Sequence, residues 1–117
     1  MKIYENLTFK TNNLEEILIL LKKKKTQKIN IFYSFKAILW QGPLMVKSIE
    51  EKIKDHNINF IVESKTDVGL TLALIEIGIK QISISKKLDK KILDKIKSIA
   101  KKKEVNILFT EKFKKIQ

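Results

Sequence analysis

INFIVESKTDVGLTLALIEIGIKQISI, residues 58–84, reads as a complete strand–helix–strand unit. Residues 58–62 are a short apolar run rich in β-branched and aromatic side chains, the composition of a strand covered on both faces. The polar group Glu63, Ser64, Lys65, Thr66 and Asp67 follows it. From Asp67 to Ile77 the apolar residues Leu70, Leu72, Ala73, Leu74, Ile75 and Ile77 are too dense for alternation and predict a helix that is apolar on nearly every side. Gly78 suits a left-handed helix end, and 81–84 forms the next strand. Two strands separated by a helix cannot make a tight hairpin, so they are expected to lie parallel with a right-handed crossover.

The same alternation extends outward in both directions. Residues 3–9 read as a first strand, and Thr11, Asn12 and Asn13 supply side chains suited to capping a helix. Glu15 and Glu16 then sit in a first turn, Leu14, Ile17, Leu18 and Leu21 recur at helical spacing, and Lys22, Lys23, Lys24 and Lys25 fall at the negative pole. Residues 29–35 predict a central strand, and 36–42 a strand-to-helix loop. Pro43 is placed as a first helical residue, where its missing N–H costs nothing. In the helix 43–55, Val46, Ile49 and Ile53 form the apolar stripe, while Glu50, Glu51, Lys52 and Lys54 face water. Leu88, Ile92, Ile96 and Ile99 stripe a last helix, 105–109 is a fifth strand, and 110–117 is a tail. The whole pattern predicts one α/β domain over 1–117, with a single open, mainly parallel sheet of four or five strands and helices on both faces.

Composition narrows the function. The chain has 117 residues, no cysteine and one histidine, which excludes a disulfide framework, a thiolate metal site and a cysteine nucleophile. Gly42, Gly69 and Gly78 make neither a dinucleotide fingerprint nor a P-loop. No calcium-type acidic loop is present, and neither a metal nor another cofactor is expected. No apolar run is long enough to span a bilayer, and the amino terminus lacks an export signal, so a soluble cytoplasmic protein is expected. The net charge is +12 and every one of the 25 basic residues is lysine. Without arginine's bidentate fork, sequence-specific nucleic-acid reading is not expected, and the lysines read as a solvated coat.

Ligands of open parallel sheets bind beyond the carboxyl ends of the strands, here the loops at 10–13, 36–42, 63–67, 85–87 and 110–112. Glu63, Ser64, Lys65, Thr66 and Asp67 are the densest polar group among them. Ser64 and Asp67 have capping-box spacing, which predicts Ser64 as the helix cap, while the helix start beside Lys65 and Thr66 suits a phosphate or carboxylate. His56 reads as a helix-terminal histidine stabilised by the dipole. Trp40, beside Leu39 and Phe35, suits either core packing or an exposed aromatic anchor.

Thr66, Asp67, Val68, Gly69 and Leu70, followed by an apolar helix, Gly78, a strand and another helix, resemble the second half of a STAS domain, the anti-sigma-factor antagonist fold. In that family an Asp-Ser-Ser-Gly-Leu type turn carries a phosphorylated serine that docks a partner. The resemblance places Asp67 at the position of that serine and Thr66 at that of the leading aspartate, with an additional helix, 43–55, in the first half of this chain. Sparse catalytic groups favour a non-catalytic binding or protein-interaction module, with an unidentified protein or an anionic small molecule as partner. The alternative is a small enzyme, or enzyme remnant, acting on an anionic molecule with Glu63 and Lys65. Lys10, Lys65 and Lys86 around one concave pocket would favour the enzyme, and an apolar patch around Trp40 the module.

Overall fold

The computed structural model describes residues 2–24 and 27–117. Lys25, expected at the end of the first helix, lies outside them. The elements run β1 (Thr8–Thr11), α1 (Leu14–Lys23), β2 (Ile29–Tyr33), α2 (Phe35–Gln41), α3 (Pro43–Ile53), β3 (Ile58–Lys65), α4 (Val68–Glu76), β4 (Gln81–Ile84), α5 (Lys90–Lys102) and β5 (Asn106–Phe109). Short 3-10 turns, Lys2–Glu5 and Thr110–Lys112, precede β1 and follow β5.

The strands lie side by side in chain order, β1-β2-β3-β4-β5, and every neighbouring pair is parallel. When successive parallel strands are adjacent and all crossovers share one hand, the connecting helices fall on one side of the sheet. Core membership agrees: Ile17 of α1, Ile38 of α2, Ile49 of α3, Leu74 of α4 and Ile96 of α5 pack in one cluster with Ile31, Val62 and Ile82 of the sheet. Alternate strand residues point the other way, and there Phe32, Ile61 and Leu108 make a second, smaller cluster. Helices were expected on both faces, but α1 to α5 share one, and among the described residues the Lys2–Glu5 3-10 turn lies over the other.

The chain ends seal that second face. Tyr4 and Phe113 insert against Phe32, with ring centroids 4.8 Å (Tyr4–Phe113) and 5.5 Å (Phe32–Phe113) apart in edge-on geometry. The Tyr4 hydroxyl accepts the N–H of Phe109 at 2.9 Å. The tail continues to the outer edge of β1, where Thr8 N–H donates to Lys115 O and Gln117 N–H to Thr8 O, and Ile116 bridges Thr8. One exposed strand edge is thereby partly covered.

The sequence placed a strand at 3–9. Residues 2–5 form a 3-10 turn instead, because Tyr4 is needed over the second face rather than in the sheet. Residues 36–41, expected as loop, form α2, whose first turn is capped by Ser34 Oγ accepting from Ala37 N–H at 3.2 Å. Glu50, expected to face water, is buried. Its carboxylate accepts from Lys47 Nζ at 2.8 Å and from Lys80 N–H at 2.9 Å, which fixes α3 to the start of β4.

A row of side-chain amides crosses the second face near the amino ends of the strands. Fully buried Asn30 donates to Ile3 O at 2.7 Å and to Thr8 Oγ1 at 3.0 Å, and accepts from Asn59 at 3.0 Å. Asn30→Ala removes all three bonds, among them the one to fully buried Thr8, so urea unfolding is expected to show a loss above about 2 kcal/mol. Half-buried Asn59→Ala is expected to cost less than about 1 kcal/mol. Equal costs for the two would mean that Asn30 does not organise this face.

Candidate functional site

The carboxyl ends of β3, β4 and β5 converge on a cavity of about 320 Å³, lined by Glu63, Lys65 and Thr66 from the end of β3, Ser85 and Lys87 after β4, and Thr110 and Glu111 after β5. β3 runs to Lys65, three residues further than its apolar run predicts, and its pairing with β4 is irregular between Glu63 and Lys65. Alternation along the strand sends Glu63 and Ser64 to opposite sides of the sheet. Lys65 takes φ 53°, in the left-handed region that costs a side chain about 1–2 kcal/mol. Its ammonium lies over the Phe35 ring, 5.2 Å from the centroid.

Glu63 is only 3% exposed. Its Oε1 accepts the Phe35 N–H at 3.1 Å, and among the described residues no lysine reaches salt-bridge distance of it. Glu111 is held quite differently. Ser85 Oγ donates to one of its oxygens at 2.6 Å and Lys86 N–H to the other at 3.0 Å. Partial burial pushes the Glu111 carboxyl up, yet these two donors, with its own backbone N–H and the Lys86 charge, outweigh it and hold the group below its ordinary value.

Ser64 is not the helix cap. It points under α4, where its hydroxyl meets Thr71 Oγ1 at 2.7 Å. The Thr71 proton goes to Asp67 O at 2.8 Å, so Ser64 is the donor of the pair. The cap of α4 is Asp67, whose Oδ1 accepts from Leu70 N–H at 2.9 Å. A strand extended through Lys65 moves the start of the helix three residues beyond Ser64, and the capping oxygen has to move with it. Of the five residues singled out in this turn, Glu63, Lys65 and Thr66 therefore reach the cavity. Lys10 and Lys86 do not line it, whereas Lys87, Ser85, Thr110 and Glu111 do. Their loops were identified as strand ends, but the individual residues carried no distinguishing pattern.

Compared with known proteins, the chain matches no protein-family model and none of the curated proteins. No helix among the described residues is long and apolar enough to cross a membrane, and no cluster of three or more metal-ligating side chains occurs among them.

Trp40 lies outside this cavity, on α2. It is 84% exposed, and it stands with Leu39 (59%), Leu44 (76%) and Met45 (52%) around the corner where α2 meets α3. The corner is held firmly. Gly42 takes φ 86° between the two helices, and Pro43 occupies the first position of α3. The Gln41 amide donates to Asn12 O at 2.9 Å, and the Tyr33 hydroxyl lies within donating distance of Asn12 O and of the Gln41 side-chain oxygen. Burial raises the Tyr33 phenol above its ordinary value, with Gln41 acting against that rise and Glu16 adding to it. His56 is exposed beyond α3, where its N–H donates to Ile53 O at 3.1 Å.

Two measurements test these assignments. Ser64→Ala is expected to cost about 1 kcal/mol through its lost bond and almost nothing in a Thr71→Val background. A cost unchanged by Thr71→Val would contradict the pairing. Because the Glu111 carboxyl is lowered in the folded chain, its contribution is present above the ordinary carboxyl range and is lost as pH falls through the folded value. Ser85→Ala should flatten that acid limb of stability, and an unchanged limb would contradict the assignment.

Proposed function

We propose that this chain is a non-catalytic binding module that engages a partner protein through the apolar corner between α2 and α3. The observation that carries this reading is the exposure of Trp40 together with Leu39, Leu44 and Met45. Large apolar side chains are ordinarily removed from water, and an exposed group of them at one helix–helix corner that includes tryptophan has the composition of an interface hot spot. Because Gln41, Gly42 and Pro43 fix the corner, little ordering cost is left for association.

The chemistry of the partner follows from charge. Between Glu16 and Glu50 the chain has no acidic residue, and exposed Lys36 precedes Trp40 by one helical turn. An apolar segment with acidic flanks complements such a surface, whereas a second copy would bring another chain of net charge +12 against it. The resemblance of 66–70 to a partner-docking turn is in keeping with the same class of function. A cysteine-free chain also suits the reducing cytoplasm. The alternative, an enzyme acting on an anionic molecule at the strand ends, is opposed by the two carboxylates, Glu63 and Glu111, that border the cavity there.

Trp40→Ala is expected to leave stability within about 0.5 kcal/mol of the parent, since the ring contributes little to folding. The same change should weaken the partner complex about 30-fold or more, the effect of truncating a hot-spot residue by about 2 kcal/mol. Sedimentation should show a monomer. A loss of about 3–5 kcal/mol in stability, as for a buried aromatic, would place Trp40 in the core and overturn the reading. A dimer abolished by Trp40→Ala would overturn the choice of partner.

A further inference from the structure

A second binding site, independent of the α2–α3 corner, follows from the way Glu63 is held. Among the described residues, Glu50 and Glu111 each have a donor for both carboxylate oxygens. Glu50 has Lys47 Nζ and Lys80 N–H, and Glu111 has Ser85 Oγ and Lys86 N–H. Glu63 is as deeply buried as Glu50, yet only its Oε1 is matched, by Phe35 N–H. Its other oxygen has no donor among the described residues, is not sealed from solvent, and belongs to a side chain that lines the strand-end cavity. A carboxylate oxygen open to a cavity is compensated there by water or by a cationic donor.

The surroundings define the compensating group. A divalent cation is usually held by several carboxylates, and no group of three or more His, Cys, Asp or Glu side chains suited to one occurs among the described residues. A plain anion would face Glu63 and Glu111, and a plain polyamine would face Lys65 and Lys87, all of which line the cavity. An ammonium carries donors only, and suits Glu63 Oε2 in a cavity that Ser85 and Thr110 also line. The exposed lysines at the rim suit a carboxylate. At about 320 Å³ the cavity is near the lower limit for ligand sites, which selects a small molecule. We propose that this cavity binds a small zwitterion of the α-amino-acid class, with its ammonium on Glu63 and its carboxylate toward Lys65 and Lys87.

The test is thermal unfolding of the full chain with each standard α-amino acid at millimolar concentration, with acetate and methylamine as single-charge controls. A ligand that binds only the folded state raises the midpoint by mass action. At least one amino acid should raise it by several degrees, and neither control should. Glu63→Gln, which keeps an acceptor for Phe35 N–H, should abolish the shift, and Lys87→Gln, at an exposed position, should reduce it. Should Glu63→Gln not fold, a backbone-amide NMR titration of the unaltered chain decides, with changes expected at Glu63, Thr66, Ser85 and Thr110. The proposal is overturned if no amino acid shifts the midpoint, if a control shifts it equally, if folded Glu63→Gln responds like the parent, if Lys87→Gln leaves the shift intact, or if the titration moves other residues.

Discussion

The order of the strands governs the rest of this structure. Five parallel strands lie adjacent in chain order, so each crossover returns over the same face and α1 to α5 form one layer. A sheet covered on one side only would leave Phe32, Ile61 and Leu108 in water. Burying side chains of that kind is worth about 1.5–3 kcal/mol each, so the uncovered face cannot be left open. The chain uses its two ends for this purpose, bringing Tyr4 and Phe113 together from opposite termini. The bond from Phe109 N–H to the Tyr4 hydroxyl, spanning 105 positions, ties the amino-terminal turn to the last strand.

The same arrangement sorts the surface into distinct environments. At the amino ends of the strands the second face is occupied by amides, with Asn30 bonded in three directions. Hollows of about 350 and 400 Å³ lie toward that end, but the buried glutamate there, Glu50, is matched by Lys47 and Lys80. At the carboxyl ends the strands of a parallel sheet stop at different heights and release their loops, and there a buried carboxylate faces a cavity. The helix layer adds the third environment. α2 is short and is held by Ser34, Asn12 and Tyr33 rather than by a broad apolar stripe, so Leu39 and Trp40 project outward from it.

Much of this was legible from residue spacing. The alternation of short β-branched runs with helical stripes is enforced by burial, and it located the central strands, α3, α4 and α5 and the parallel pairing. The departures have local causes. Residues 3–9 carry the composition of a strand, but the position of Tyr4 is decided by Phe113, more than a hundred residues away, which no local pattern records. The seven residues of α2 are too few to display helical periodicity, and the helix depends on a cap from Ser34. Capping-box spacing pointed to Ser64 as the cap, and Asp67 is the cap instead. The choice between them was made by the length of β3, which continues through polar residues because Glu63 and Ser64 find partners on opposite sides of the sheet. The cavity was legible as a set of loops and not as residues, since what distinguishes Glu63 is a missing donor, a property of three-dimensional placement. The exposure of Trp40 was equally beyond spacing, because an aromatic beside Ile38 and Leu39 fits a core as well as a surface.

Trp40 is the only tryptophan in the chain, so its fluorescence reports the environment of the α2–α3 corner without interference. The account predicts, for the isolated monomer, an emission maximum close to that of tryptophan in water and quenching by acrylamide nearly as efficient as for a free indole. A blue-shifted emission with weak quenching at every protein concentration would mean that the ring is packed, and would contradict the claim that this corner is the contact surface.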